Sequence, residues 1–232
     1  MSNKEGKCIE IIKTKLKEGM IAIDVGASIG RYTVILSQLV GTNGKVYAIE
    51  PLPDNMDKLI AVVNKQGLSN VRLIESAISN KTDMVTILQH HTLTGMGHLE
   101  CAHNDKSTRS SRSINMYDKL IAPCYTFNDF QCRYGIDNVD FIKIDIEGGE
   151  VFIFDGMDQV MKQDKLIIYM ELHFEFMQDP YSQVKHIIDT LTSNNFIVTY
   201  LIDKNNNIHD INRMEDIFNH VEKGIVYLFF EK

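Results

Sequence analysis

Residues 20–32, MIAIDVGASIGRY, constrain the fold more than any other part of the chain. Residues 20–25 are short, apolar and partly β-branched, which is typical of a strand buried on both faces. Apolar residues then recur at helical spacing over residues 29–40. Gly26 and Gly30 lie at the junction, where glycine permits a sharp turn and lets a ligand approach the backbone. The pattern predicts a strand, a ligand-binding turn and a helix whose first amides face the ligand.

The turn itself indicates the class of ligand. It reads DVGASIG and lacks the middle glycine of the G-x-G-x-x-G loops that hold a dinucleotide pyrophosphate. The carboxylate of Asp24 at its mouth would repel a diphosphate, but it suits a ligand with an ammonium or sulfonium group. A plain structural turn with an Asp before glycine remains the alternative.

The rest of the chain repeats the alternation of strand and helix. Strands are predicted at residues 45–50, 71–74, 82–88, 139–144, 166–170, 196–201 and 225–230. Such alternation predicts an α/β fold: a doubly wound, mostly parallel seven-stranded sheet with helices on both faces and a final pair that is antiparallel. Within the 232 residues we expect an amphipathic helix in residues 1–19, packed on a single domain of residues 20–232.

Charge and cysteine usage exclude several partners. A net charge of −7 argues against a broad nucleic-acid-binding surface and favours small or neutral partners. The four cysteines include no C-x-x-C pair, which fits a reducing cytoplasm. No apolar run approaches the length of a membrane span, so we expect a cytoplasmic protein without membrane association. A homo-oligomer is an open expectation.

Glu50 is a second candidate for contact with the ligand. It ends the second predicted strand, 26 positions after Asp24. Doubly wound folds place an acid at about this separation on the ribose hydroxyls of a nucleoside. A carboxylate can accept from both hydroxyls at once. The alternative is a solvated acid at a strand end.

Residues 139–153, VDFIKIDIEGGEVFI, place charges inside a predicted buried strand. Alternation puts Lys143 and Asp145 on one face, where they should neutralise each other or line a wet cavity. Glu147 and Glu150 fall near the N-terminus of the next helix. An ion pair plus helix capping would explain Lys143 and Glu150, but not so many acids at one strand tip.

Residues 90–115 are polar and long for a structureless connection, so we predict a substrate loop or lid there. The stretch contains His90, His91, His98, Cys101 and His103. Imidazole and thiolate could bind zinc or iron, but the spacing matches no standard finger. We favour a loop whose histidines touch substrate or solvent.

The segments DVGASIG, YAIEP, TFNDF and VDFIKIDIEGGE together resemble the FkbM family of S-adenosylmethionine-dependent methyltransferases, over residues 20–175. The resemblance implies the seven-stranded methyltransferase fold and O-methylation of a hydroxyl on a sugar, glycan or secondary metabolite. It also implies that Ser76 and Ala77 hold the adenine and that Asp145 lies near the reacting methyl group. Asn128 departs from the family, which more often has Asp there. The predicted cofactor-binding residues are Asp24, Gly26, Ala27, Ser28, Gly30, Tyr32, Glu50, Pro51, Ser76, Ala77 and Asp145.

The predicted catalytic residues are His173, Asp145 and Glu171. His173 follows the carboxyl end of a strand and titrates near neutrality, so it is the preferred general base; a histidine bonded only to backbone is the alternative. A variant assigns Asp145, Glu147 and Glu171 to a divalent ion such as Mg²⁺, ranked below a metal-free mechanism. Two other functions stay open: a non-catalytic cofactor-binding domain and a nicotinamide-dependent oxidoreductase.

Overall fold

Six α-helices and twelve strands make up the described part of the chain, which comprises residues 6–90, 97–100, 117–209, 211, 214–220 and 224–232 of a computed structural model. In chain order they are α1 (Gly6–Lys15), β1 (Ile21–Val25), α2 (Arg31–Val40), β2 (Lys45–Ile49), α3 (Pro53–Gln66), β3 (Val71–Ile74), β4 (Ala77–Ile78), β5 (Asp83–His90), β6 (Gly97–Leu99), β7 (Tyr117–Tyr125), α4 (Phe127–Tyr134), β8 (Phe141–Ile144), α5 (Glu150–Phe154), β9 (Ile167–His173), α6 (Pro180–Ser193), β10 (Ile197–Asp203), β11 (Ile208–His209) and β12 (Ile225–Glu231).

The large sheet has the strand order β11-β10-β12-β9-β8-β1-β2-β3. Strands β3, β2, β1, β8 and β9 are parallel, whereas β12 pairs antiparallel with both β9 and β10. The doubly wound, mostly parallel sheet and its antiparallel final strands are therefore confirmed. The two-residue strand β11 extends the seven predicted strands to eight.

Helices cover both faces of this sheet. Alternate residues of β1 point to opposite sides: Ala22 packs with α1 and α2, and Ile23 packs with α4 and α6. The predicted N-terminal helix is present as α1, and it buries Cys8, Ile11 and Ile12 against α2 and β12. Strands β1, β2, β8 and β9 are thus largely buried on both faces, as their apolar runs require, whereas the edge strand β3 exposes Arg72.

A second, four-stranded sheet has the order β4-β7-β5-β6. The sequence predicted only the strand at residues 82–88 as an additional element. This small sheet packs its own apolar cluster, including Ile87, Leu99 and Ala122, against Leu52 and Phe152. Leu52 follows β2 and Phe152 lies in α5, so the small sheet covers the carboxyl end of the large one.

The long connection predicted at residues 90–115 lies mostly outside the described residues, and so do His91, Cys101 and His103. His90 ends β5, and its ring packs edge-on against Tyr117 with centroids 5.1 Å apart. Within the described ranges, no helix combines the length and the apolar character needed to cross a bilayer.

Candidate active site

An open cleft of about 710 Å³ lies at the carboxyl end of the large sheet. Doubly wound sheets bind ligands at this end, where loops diverge from neighbouring strands. Seven of the predicted site residues line it: Gly26, Ser28, Glu50, Pro51, Ser76, Ala77 and Asp145. The other lining residues are Val25, Ile49, Leu52, Ile78, Ile87, Gly97, Leu99, Ile146 and Glu147.

The turn after β1 forms the floor of the cleft. Gly26 has a φ of +76°, and a Cβ there would lie 1.9 Å from the carbonyl oxygen of Asp145. Only glycine allows the turn to approach the end of β8 this closely. Ser28 also has a positive φ, 48°, and its amide donates to Oε2 of Glu50 over 2.9 Å. The turn is therefore held by both of its neighbours in the sheet.

Glu50 is buried and lines the cleft directly after β2, the strand between β1 and β3. Its Oε1 accepts from the Leu52 amide (3.0 Å) and from Nδ2 of Asn55 (3.2 Å), at the start of α3. Burial raises the pKa of Glu50, although the amides of Leu52 and Ser28 oppose the shift. A carboxylate has about four acceptor positions, so this one can accept from a ligand as well. The predicted ribose contact stays a prediction.

Ser76 lines the cleft between β3, the edge strand of the large sheet, and β4. It is buried, and its Oγ has no hydrogen-bond partner among the described residues. A buried hydroxyl left unpaired costs roughly 1–3 kcal/mol. Ser76 therefore offers an unmet hydrogen bond to a ligand in the cleft, beside the apolar surfaces of Ile87 and Leu99.

Four other predicted cofactor residues are buried and are not among those that line the cleft: Asp24, Ala27, Gly30 and Tyr32. Asp24 is fully buried, and its Oδ2 accepts from Oγ1 of Thr33 over 2.6 Å. The Tyr32 hydroxyl is bonded to that of Tyr169. A buried cation compensates the charge of Asp24 in this structure, and its predicted direct contact with a cationic ligand stays a prediction.

The compensating charge is Lys143, which is 2% exposed. Its Nζ lies 3.2 Å from Oδ1 of Asp24 and 3.3 Å from Oδ2 of Asp145, and it donates to the Gly26 carbonyl over 2.6 Å. Burial alone would lower the pKa of Lys143, but the charges of Asp145 and Asp24 outweigh it and raise the pKa. The predicted pairing of Lys143 with Asp145 is confirmed, and it joins β8 to the β1 turn.

Beyond Asp145 the structure brings together the predicted catalytic residues. Nε2 of His173 lies 3.1 Å from Oδ1 of Asp145 and 3.6 Å from Oε1 of Glu171, while Nδ1 lies 3.3 Å from Oε2 of Glu147. Burial would lower the pKa of His173, but the hydrogen bond to Asp145 and the charges of Glu147 and Asp145 raise it to about 10.

Glu147 and Glu150 have different roles. Glu150 is fully buried, and its Oε1 accepts from the amides of Gly148 (3.1 Å) and Ile146 (3.3 Å), so it closes the turn before α5. Glu147 lines the cleft with a φ of +54°, and burial raises its pKa to about 7 against the opposing charge of His173. Strained backbone of this kind clusters at functional sites. The structural explanation considered for these acids, capping of the helix that follows, therefore fits Glu150 but not Glu147.

Sequence reasoning did not find the apolar wall of the cleft. Ile87 and Leu99 belong to the small sheet, whose pairing joins segments distant in sequence. The alternation of Val85 and Ile87 in β5 was the available signal of a strand with one buried face.

Asn128, where the chain departs from the family pattern, is not among the lining residues. Its Oδ1 accepts from the amide of Gln159, and its Nδ2 donates to Asp158. Asn128 therefore stabilises a turn at the surface through these contacts and does not line the cleft.

Comparison with known proteins identifies the family. The family model described as the Methyltransferase FkbM domain matches residues 24–198. Protein-L-isoaspartate O-methyltransferase of Methanococcoides burtonii is 33% identical over 60 residues, which are 26% of this chain and 30% of that relative. The chain thus matches less than a third of that relative's length.

Two solved structures share the fold. Methyltransferase FkbM from Methylobacillus flagellatus KT aligns with a TM-score of 0.56 at 15% identity, over 93% of this chain and 44% of that one. Aeropyrum pernix fibrillarin, solved with natively bound S-adenosyl-L-methionine, aligns with a TM-score of 0.54 at 13% identity, over 97% of this chain and 74% of that one. Since the family model spans most of the sequence, the chain belongs to the FkbM family of S-adenosylmethionine-dependent methyltransferases.

Proposed function

We propose that this protein transfers the methyl group of S-adenosylmethionine to a hydroxyl oxygen on a sugar, glycan or other small metabolite. The observation that carries the proposal is the order of groups along the cleft. In the strand order β8-β1-β2-β3, Asp145 follows β8, Gly26 follows β1, Glu50 follows β2 and Ser76 follows β3, and all four residues line the cleft. This order suits the adenine, the ribose and the methionine of one extended cofactor.

The reaction needs little covalent help from the protein. The acceptor oxygen attacks the methyl carbon, the carbon–sulfur bond breaks with its electron pair going to sulfur, and the hydroxyl proton leaves. Alignment of the two reactants can contribute roughly 7–11 kcal/mol to lowering the barrier. In the proposal the β1 turn and Glu50 hold the donor, while Asp145 and Glu147 face the acceptor.

The charge at the reacting end supports a neutral acceptor. Asp145 and Glu147 line the cleft there, and no Lys or Arg is among its described lining residues. An anionic acceptor would be repelled, whereas a hydroxyl can donate to a carboxylate.

The role of His173 as general base stays a prediction. Its ring is buried and does not line the cleft. An acceptor proton would therefore reach it through Asp145 or Glu147. A positioned base adds about 10²–10⁴-fold to such a step.

Calorimetry with S-adenosylhomocysteine tests the cofactor site. We expect the full chain to bind S-adenosylhomocysteine and not NAD, and Glu50→Gln to weaken binding about 10-fold through loss of a charged acceptor. Glu100→Gln, an exposed carboxylate paired with Lys119, is the matched control and should leave binding unchanged. Binding of NAD in preference would overturn the proposal in favour of an oxidoreductase.

Methyl transfer is then measured with radiolabelled S-adenosylmethionine on a panel of sugars, glycans and hydroxylated metabolites. Label incorporated at oxygen supports the proposal. Cofactor binding without transfer to any panel member favours a non-catalytic binding domain.

A further inference from the structure

The residues beyond Asp145 form a ligand set of mixed chemistry, which we call the carboxylate–imidazole cluster: Asp145, Glu171 and His173. One ligand atom of each lies within 4.8 Å of the other two. The backbone accounts for the arrangement. Glu171 and His173 are two apart on β9 and share a face, and the pairing of Ile144 with Met170 brings the end of β8 beside them.

The orientation of His173 provides a second, independent observation. While Nε2 points to Asp145 and Glu171, Nδ1 faces Glu147 on the opposite side of the ring. Nδ1 and the facing Oε2 of Glu147 are both buried, and neither makes a hydrogen bond of proper geometry to any described residue. Histidines that bind metals usually have a carboxylate or carbonyl on the second nitrogen in this way.

The ring is also fixed in place. Phe176 stacks on His173 with centroids 5.9 Å apart and planes 27° from parallel. A Cβ on Gly148 would lie 2.6 Å from Cβ of Phe176, so the loop that carries Glu147 approaches Phe176 closely only because residue 148 is glycine. Such enclosure preorganises a ligand nitrogen.

The local charge favours a cation. Asp145, Glu147 and Glu171 each place a carboxylate oxygen within 3.6 Å of a ring nitrogen of His173. Glu150 is fully buried, interacts with the charges of His173 and Asp145, and has an Oε2 without a hydrogen-bond partner. Carboxylate oxygens gathered this closely around one imidazole ring are the chemistry that attracts a cation.

We propose that Asp145, Glu171 and Nε2 of His173 bind a divalent transition-metal cation, with Glu147 orienting the imidazole. Two oxygens and one imidazole nitrogen suit Mn²⁺, Fe²⁺, Co²⁺ or Zn²⁺, whereas Mg²⁺ and Ca²⁺ take oxygen ligands almost throughout. The proposal revises the set predicted from sequence: His173 replaces Glu147 as a ligand, and a transition metal replaces Mg²⁺.

The position suggests what the cation does in turnover, and this part alone rests on the proposed function. Asp145 lines the reacting end of the cleft, so a cation held by it lies beside the acceptor. There it would bind the acceptor hydroxyl, polarise it and favour loss of its proton.

The test is a titration of the chelator-treated full chain with Mn²⁺, followed by loss of the free Mn²⁺ signal in electron paramagnetic resonance. We expect one cation per chain. His173→Ala and Glu171→Gln should each weaken binding by at least about 10-fold, and Glu147→Gln by about 10-fold through loss of orientation. The matched control is His186→Ala, which removes a histidine paired to Asp155 on the exposed surface of α6 and should leave Mn²⁺ binding unchanged.

Absence of stoichiometric binding, or equal loss in the His186 variant, overturns the site. Circular dichroism checks folding; if His173→Ala unfolds, the near-isosteric Glu171→Gln decides the assignment. S-adenosylhomocysteine binding is measured on the same samples. A chain that binds S-adenosylhomocysteine but no Mn²⁺ refutes the metal site alone, whereas one that binds Mn²⁺ but no S-adenosylhomocysteine refutes the proposed function alone.

Discussion

Lys143 is the buried cation that Asp24 and Asp145 share. Replacing it by Met would leave Asp24, which is fully buried, without a compensating charge. We expect Lys143→Met to lower the free energy of unfolding by about 3–5 kcal/mol, as found when one partner of a buried pair is removed. Urea unfolding measures the loss. The control Lys185→Met removes the exposed partner of Asp189 and should lower the free energy of unfolding by at most about 1 kcal/mol. Equal losses of unfolding free energy in the two variants would contradict a stabilising role for the buried Lys143.

Ser76 permits a test of ligand contact at one atom. Its buried, unpartnered Oγ should gain a hydrogen bond when the cofactor binds. Ser76→Ala is expected to weaken S-adenosylhomocysteine binding about 5-fold, equivalent to about 1 kcal/mol. Calorimetry measures the change. Ser79→Ala removes an equally buried hydroxyl that does not line the cleft, and a similar loss of affinity there would argue against a direct contact.

Residue roles were only partly predictable from sequence. Period-two alternation sufficed to pair Lys143 with Asp145, because both lie on one face of a strand. It could not show that Asp24 is buried and does not line the cleft. Its carboxylate is held by Lys143, which is distant in the sequence, and by Thr33 on the next helix. The left-handed backbone at Glu147, which turns that carboxylate into the cleft, has no signal in residue type.

At the scale of elements, the contact between the β1 turn and the end of β8 can be isolated with two glycines. Gly26 and Gly67 both have positive φ, but a Cβ on Gly67 would meet nothing within 4 Å. Gly67→Ala should therefore cost only the backbone strain, about 1–2 kcal/mol. Gly26→Ala should cost more and abolish S-adenosylhomocysteine binding, because the loop must move away from Asp145. Chemical unfolding and calorimetry measure both effects; retained binding in the Gly26 variant would contradict the coupling.

The turn between β10 and β11 should give a pH-dependent contribution to stability. Burial would raise the pKa of Asp203, but the amides of Asn207 and Asn205 and the ring of His209 hold it well below its usual range. Its stabilisation is therefore complete above the unfolded pKa of about 3.9 and is lost as the pH falls below it. Asp203→Ala should lower the free energy of unfolding by about 1 kcal/mol at neutral pH, and this loss should become progressively smaller below about pH 4.

Urea unfolding at several pH values measures this difference. Asp189→Ala, at an exposed ion pair, is the control for the general loss of a surface carboxylate. A difference that persists unchanged in acid would show that the Asp203 carboxylate is not the stabilising group.

The elements of the large sheet were predictable because each is continuous in sequence and strongly periodic. The small sheet was not, and β7 shows why. It contains Pro123, which normally argues against an internal strand. Its pairing with β4 begins only at Cys124, so Pro123 lies beyond the end of that strand and its missing amide breaks no bond there. A tertiary arrangement thus permits what the local sequence discourages.

At the scale of the whole molecule, cofactor binding should be visible as thermal stability. A ligand that binds only the folded state stabilises it by about 2.7 kcal/mol at 100 times its dissociation constant. For a chain of this size we expect S-adenosylhomocysteine to raise Tm by about 5–10 °C under those conditions. Differential scanning fluorimetry measures the shift. An equal shift with NAD would count against the methyltransferase site.

The small sheet has a consequence for the kinetics of exchange. Ile87 and Leu99 form a wall of the cleft, yet they belong to strands that are not hydrogen-bonded to the large sheet. The wall can therefore separate from the floor without breaking a strand pair of the large sheet. We expect the residence time of the spent cofactor to depend on how readily the small sheet separates from the large one, so that product release can limit turnover even when the transfer step itself is fast.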